Sequence, residues 1–406
     1  MASTEKWSEA WSNSVFSLAE RDRRWAKVRG LMRAAGVDLI VCLPCTNSHS
    51  RGSADHRYLT QLGENSDECV VAFPLEGGVT GWHSRGGVWP SSNWFDDIRS
   101  AGRGTGGATL IGWIRERGGL EASRIGIAGL TASDIAHVRS AEGEVNWTSV
   151  ELLKAAFPKA DFVDATPILG RARWTKSDEE IEFLRKGTWV AERTLDALVA
   201  SARPGVRERH VFAKMLYENA DCGGSFTPMF GWMSGPRTAP YHRVEQPSFR
   251  TFEEGDVLGI EIEGRWGGHI AQIDQTLTFG KAHPETIEAN KRTIEAFERV
   301  MAILKPGVTV RELLAAGDWK KPGTNVWSGL GGHGRGTGDD GPLLVAGRAE
   351  PDHILDIVIE AGCSFAIKPS TFDGQRELAR WGDSVAVTAT GAERLGVRVP
   401  QLFEQL

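Results

Sequence analysis

The chain has 406 residues, 41% of them hydrophobic and 25% charged, which excludes a disordered tail and leaves room for two domains with real cores. Lys and Arg number 47 against 53 Asp and Glu, a net charge of −6 without long blocks of one sign, and this argues against a dedicated nucleic-acid surface. Five scattered cysteines are too few for a disulfide framework, and their odd number fits a reducing compartment, the cytoplasm by default.

The stretch Met1 to Trp11 is polar, and no apolar run reaches the roughly 18 residues of a membrane span, so a signal peptide and membrane insertion are both disfavoured. From Leu18 to Ala35, Trp25, Val28 and Met32 recur at helical spacing; Gly36 stops the pattern before an apolar run from Val37 to Cys42. The reading is helix, turn, buried strand. Strands follow at Cys69 to Phe73 and Gly78 to Trp82 around the turn Glu76-Gly77-Gly78, then at Arg124 to Ala128. A helix near Ser149 to Ala156 leads into Ala160 to Asp164, and the order predicts a mixed α/β domain ending near residue 170.

Three motifs in the chain mislead on spacing alone. Cys42-Leu43-Pro44-Cys45 has redox or zinc spacing, but no second thiol pair or paired His completes a site. Gly102 to Gly107 and Gly329 to Gly334 both fit G-x-G-x-x-G, yet neither follows a clear strand with an acidic residue about 20 positions on in a βαβ unit, so both are rejected as dinucleotide fingerprints.

The second half contains a repeat. Ser177-Asp178-Glu179-Glu180 has capping-box form, and Ile181, Leu184, Thr188, Ala191, Leu195 and Leu198 then share one helix face up to Arg203-Pro204-Gly205-Val206. About a hundred residues on, a helix from Pro284 to Leu304 with Ile287, Ile294, Phe297 and Met301 inward runs into Lys305-Pro306-Gly307-Val308. A second helical stretch follows each turn, at Arg207 to Ala220 and Thr309 to Ala316. The pattern predicts a pseudo-symmetric domain of two α+β halves.

With Trp174 to Ile181, the two Pro-Gly-Val turns, Ser234-Gly235 followed by His242, Gly255-Asp256-Val257 and Gly332-His333-Gly334 in this order, the chain resembles the pita-bread family of creatinase, Xaa-Pro aminopeptidase, prolidase and methionine aminopeptidase. The resemblance implies an α+β protein, a small α/β domain over residues 1–170 followed by a pita-bread catalytic domain over 171–406. Metallopeptidases of this family hold two divalent cations with two Asp, one His and two Glu. Their five positions match Glu261, Gln272, His333, Lys368 and Gly382 here. One ligand is kept, one is lengthened and three are lost, one of them to a cation whose charge opposes a dication by several kcal/mol at an effective dielectric of about 20. The expectation is therefore no bound metal and no cofactor.

Creatinase is the family precedent for chemistry without metals, with a His as proton shuttle at the place of His242 and an acidic residue at the place of Asp274. An imidazole near neutral pKa suits that task. Glu261 and Asp274, thirteen positions apart on an expected antiparallel strand pair, would orient it or a cationic substrate. His333 is a second shuttle candidate, and Lys368 would pair with Glu261 or polarise a carbonyl oxygen. For substrate binding the expected set is Arg335, Arg57, Gln272 and the aromatic walls Trp232, Trp266 and Trp381. The function expected is hydrolysis, without metal, of a non-peptide C–N bond in a small carboxylated molecule. A lyase with the same shuttle, or a non-enzymatic peptide-binding or chaperone module, is the alternative. A cytoplasmic homodimer is implied by the resemblance, without nucleic-acid or membrane partners.

Overall fold

The computed structural model describes residues 16–44, 53–62, 69–83, 94, 97–100, 106–131, 143–224, 228–237, 244, 246–348 and 351–406. They divide into two compact units, Met1–Glu179 with Thr337–Asp340, and Glu180–Gly336 with Gly341–Leu406. Among the described residues no helix is long and apolar enough to cross a membrane.

The first unit carries a six-stranded mixed sheet in the order Ile98–Ser100, Thr80–His83, Cys69–Pro74, Leu39–Cys42, Arg124–Ile127, Asp161–Asp164. Leu39–Cys42 runs antiparallel to Cys69–Pro74 and parallel to Arg124–Ile127. Alternation sends Ile40 and Cys42 to one face, against Val28, Met32, Tyr58 and Leu169, and Leu39 and Val41 to the other, against Leu110, Trp113 and Ile114. A strand covered on both faces needs the continuous apolar run seen in its sequence. The helix Leu18–Ala35 ends where Gly36 adopts φ 66° and its N–H donates to the carbonyls of Arg33 and Met32.

Two helices of this unit have no clear sequence signal. Ala54–Thr60 is buried along its whole length, so it lacks an amphipathic period, and Gly106–Arg117 opens on the end of a glycine-rich stretch. The remainder of that stretch, residues 102–105, lies outside the described residues, as does Cys45. In the helix Thr166–Trp174, Arg173 is 2% exposed and pairs with Asp55 and, at 3.1 Å, with Asp340. Arg173→Met would take a buried cation away from two buried carboxylates. Its unfolding free energy, measured by urea denaturation, is expected to fall by about 3–5 kcal/mol; a loss below about 1 kcal/mol would show that water, not Arg173, solvates the pair.

The second unit repeats one plan. The helices Asp178–Ser201 and Glu208–Asp221 are matched by Pro284–Ile303 and Val310–Gly317. The turns between them agree in detail: Gly205 and Gly307 have φ of 85° and 92°, and their N–H groups donate to the carbonyls of Phe252 and Ile359. The following valines, Val206 and Val308, accept from the amides of those same two residues. A left-handed backbone at the glycine is what each Pro-Gly-Val signal encodes.

The second copy differs from its expected phase. Ile287 is 48% exposed; Phe297 is buried as expected, but beside it the helix Pro284–Ile303 buries Ala289, Thr293, Ala296 and Val300. Small residues face inward because strands come close: Thr293 Oγ1 donates to the Ala289 carbonyl and lies 2.8 Å from Thr371 Oγ1. At the start of the first copy, the carboxylate of Glu179 accepts from the amide and hydroxyl of Ser17, while Glu180 lies 3.4 Å from His269 Nε2. The expected capping-box acids thus have longer-range partners.

Three sheets complete the unit. One orders Phe403–Gln405, His269–Phe279, Asp256–Trp266 and Phe230–Pro236; a second orders Leu343–Val345, Gly331–Gly334, Ser364–Ile367, Asp383–Val387 and Ala392–Arg394. A third holds Trp319–Lys320, Trp327–Gly329, Ser370–Phe372 and Glu377–Arg380. Leu258, Ile260, Ile262, Ile273 and Leu277 of the first sheet pack with Leu195, Leu198 and Phe252 in the main core.

Candidate active site

The core takes one face of the antiparallel strands Asp256–Trp266 and His269–Phe279, and period-2 alternation leaves the polar set on the other. Glu261 stands directly opposite Asp274, Glu263 opposite Gln272, and Gly259 opposite Thr276. The thirteen-residue spacing of the two acids is thus a cross-strand pair. His333 reaches this face from the strand Gly331–Gly334, and Lys368 follows the neighbouring strand Ser364–Ile367. The Lys368 backbone is fixed on both sides, its N–H donating to the Gly331 carbonyl at 2.7 Å and its carbonyl accepting from the Gly331 N–H at 3.2 Å.

The Lys368 ammonium is the centre of the site. Nζ lies 2.8 Å from Gln272 Oε1, 3.2 Å from Glu261 Oε1 and 3.2 Å from His333 Nε2. Three N–H donors meet a carboxylate, an amide oxygen and an imidazole nitrogen. His333 Nδ1 is 3.1 Å from the Gly334 carbonyl, so the partners assign the proton to Nδ1 and leave Nε2 to accept from the ammonium.

The network extends both ways. Gln272 Nε2 donates to Glu263 Oε1 at 2.9 Å, and Glu263 pairs with Arg335 at 3.0 Å and Arg265 at 2.6 Å. On the other side Arg380 Nη1 lies 3.2 Å from Asp274 and 3.9 Å from Glu261, and its Nη2 donates to Glu377 at 2.9 Å. Glu261, Glu263, Asp274 and Glu377 are therefore balanced by Lys368, Arg265, Arg335 and Arg380. Burial opposes ionisation of Glu263, but Arg265 and Arg335 outweigh it and hold its carboxyl at about 2. Burial pushes Asp274 up to about 6 against the pull of Arg380 and Lys368.

These side chains do not fit a pair of divalent cations. Among the described residues no group of three His, Cys, Asp or Glu converges to hold a metal ion. Of the five matched positions, only Glu261 is a carboxylate, Gln272 is neutral, Gly382 has no side chain, and the ammonium of Lys368 lies among the rest. Hard cations need several anionic oxygens around one point.

The other expected site residues are placed differently. Arg335 is buried on Glu263 and supports the network. Trp232 is in the main core, 6.0 Å from the Phe252 ring, and Trp381 is fully buried beside Phe297 with Arg398 4.5 Å over its ring. Trp266, also buried, has Lys186 5.6 Å over its ring. The structure thus packs these indoles into the protein interior rather than along a pocket wall. Arg57 belongs to the first unit, where it donates to Ser53 Oγ and to the Thr337 carbonyl. His242 lies outside the described residues.

Glu263, Arg380 and Glu377 were not singled out in the sequence. Glu263 had a signal, its place two residues beyond Glu261 on a strand; Arg380 had none, since its reach to Asp274 depends on how two sheets meet. Beyond the Asp274 and Arg380 end of the network lies a cavity of about 310 Å³ lined by Met233, Arg237, Val257, Gly259, Thr276 and Arg376 among others. Gly259 and Thr276 are the next positions on the face that carries Glu261 and Asp274.

The model of metallopeptidase family M24 matches residues 182–389. A Xaa-Pro dipeptidase of Pyrococcus furiosus is 27% identical over 258 residues, which are 63% of this chain and 72% of that protein. A probable dipeptidase PepE of Mycobacterium tuberculosis is 29% identical over 240 residues, 56% of this chain and 60% of that protein. Among solved structures, an X-Pro aminopeptidase from Thermotoga maritima superposes with a TM-score of 0.71 at 18% identity, covering 94% of this chain and 99% of that one. The dipeptidase PepE from Mycobacterium ulcerans gives 0.69 at 21%, covering 96% and 99%. At such identity the likeness establishes the fold, a small α/β domain followed by a pita-bread domain. The relatives overturn the expected function: they are named as dipeptidases, enzymes of the peptide bond, and not as hydrolases of a non-peptide C–N bond, lyases or binding modules. Those names bear on the bond that is cut. Which ions the site admits depends on this chain's own side chains.

Proposed function

Because the chain belongs to metallopeptidase family M24, we propose that it is a hydrolase of short peptides, with dipeptides as the first substrates to test. The observation that carries this reading is the cavity of about 310 Å³ continuing the face of Glu261 and Asp274. It is of ligand size and suits a small molecule with mixed polarity, since Met233, Val257 and Leu378 share its wall with Arg237 and Arg376.

In this reading a peptide carbonyl sits at the network end of the cavity. Arg380 supplies fixed positive charge for the oxyanion that develops as water attacks. The Asp274 carboxylate, 3.2 Å from Arg380, accepts the proton of that water and returns it to the leaving amine, so that the C–N bond breaks to a carboxylate and an amine. Lys368 keeps Glu261 in place and adds to the local field.

A panel of dipeptides, Xaa-Pro pairs included, is incubated with the protein with and without added Mn²⁺, and free amino acids are measured by mass spectrometry. Release from at least one peptide in either condition is expected, with a loss of about a hundredfold or more in Asp274→Asn. No release from folded protein in both conditions, or full turnover by Asp274→Asn, would reject the reading.

A further inference from the structure

We propose that Lys368 is a tethered cation that replaces a divalent ion at this site and excludes one. A Cβ built at Gly382 would lie 2.6 Å from the Ile367 carbonyl oxygen, 2.8 Å from Lys368 Cα and 2.9 Å from Lys368 Cγ. No real Cβ tolerates such distances; the two shortest are to backbone atoms, so the close approach of the two chain segments itself requires glycine at 382, and the lysine stem lies against it. Lys368 and Gly382 therefore lie against each other as one arrangement.

Gln272 completes it. Its amide turns oxygen toward the ammonium at 2.8 Å and nitrogen toward Glu263 at 2.9 Å, so one neutral side chain satisfies a cation on one side and an anion on the other. A carboxylate at that position could accept from Lys368 but could not donate to Glu263. His333, proton on Nδ1, gives the ammonium its third acceptor. Every group that would coordinate a metal here is already oriented toward Nζ. An arriving dication would meet a fixed positive charge, and the acids of this face are already engaged, Glu261 by Lys368 at 3.2 Å and Asp274 by Arg380 at 3.2 Å.

This inference does not depend on the substrate, and its test reads metal uptake rather than turnover. Mn²⁺ is titrated calorimetrically into the wild-type chain and into Lys368→Glu/Gln272→Asp, which places two further carboxylates beside Glu261 and His333; melting curves are recorded with and without Mn²⁺. The wild type is expected to take up no Mn²⁺ and to keep its Tm, and the double variant to bind about one equivalent and to melt higher with it. Uptake of an equivalent or more by the wild type overturns the proposal. So does a double variant with the circular dichroism of the folded chain that takes up none. Should the double variant fail to fold, Lys368→Glu alone is expected to gain weaker uptake, and a folded Lys368→Glu that binds no Mn²⁺ counts against the proposal.

Discussion

Lys368→Met is expected to lower the free energy of unfolding by roughly 3–5 kcal/mol at pH 7. Lys368 is only 9% exposed and Glu261 4%. Removing the ammonium leaves that carboxylate facing Gln272 and His333, with Arg380 at 3.9 Å as a weaker counter-ion. Methionine fills much the same volume, so the loss reports charge and hydrogen bonding more than packing. Adding Glu261→Gln removes the stranded charge, and the double variant is expected to recover a large part of the loss, because a buried pair replaced on both sides is far less costly than one that is broken. Urea denaturation of the two single variants and the double one gives the coupling directly. Equal and additive losses would show that Lys368 and Glu261 do not act as a pair.

The fold was legible where chemistry leaves few choices. The two Pro-Gly-Val turns could be recognised because a left-handed glycine after a proline ends a helix in one way, and both turns close on matching partners, Phe252 and Ile359. The alternation from Glu261 through Asp274 could be read because a strand has a period of two. Helix phase was less secure. A row of Ala289, Thr293 and Ala296 carries little hydrophobic signal, and the sheet that comes close enough to select it is remote in sequence, so Ile287 was assigned inward and lies outward. In the site, the types of residue at 261, 272, 333 and 368 showed that the metal set was broken. What they could not show is where Nζ points. That direction follows from the clamp of Lys368 on Gly331 and from the close packing of its stem on Gly382, both products of strand pairing. Tryptophan misleads for the opposite reason: a large indole suits a pocket wall or a core equally well, and Trp232 and Trp381 are in the core.

Behind Gly382 a second charged group sets how stability depends on pH. Glu192 accepts from the amides of Val397 and Arg398 at 2.8 and 2.9 Å, Asp383 pairs with Arg394 at 2.8 Å, and Arg398 donates to the Gly382 carbonyl and to Gln275. The two carboxylates face the same backbone: a Cβ on Gly396 would meet Glu192 at 2.5 Å and Asp383 at 2.7 Å. Burial first, and then the neighbouring Asp383, push the Glu192 carboxyl up from 4.5 to about 7, against the pull of Arg398 and the two amides. Because the folded value lies above the unfolded one, the native state binds the extra proton between them. The stabilisation this gives is fully present below about pH 4.5 and is lost as pH rises through about 7. The interval corresponds to about 3 kcal/mol. Glu192→Gln keeps an oxygen for the two amides and cannot ionise. Relative to wild type it is therefore expected to be near neutral at pH 4.5 and more stable by about 3 kcal/mol at pH 8, where Glu192 in the wild type carries a buried charge beside Asp383. Denaturation of both proteins at the two pH values measures the difference. A gap between them that does not widen with pH would mean that Glu192 is already ionised at pH 4.5, and that Arg398 holds it more tightly than burial opposes it.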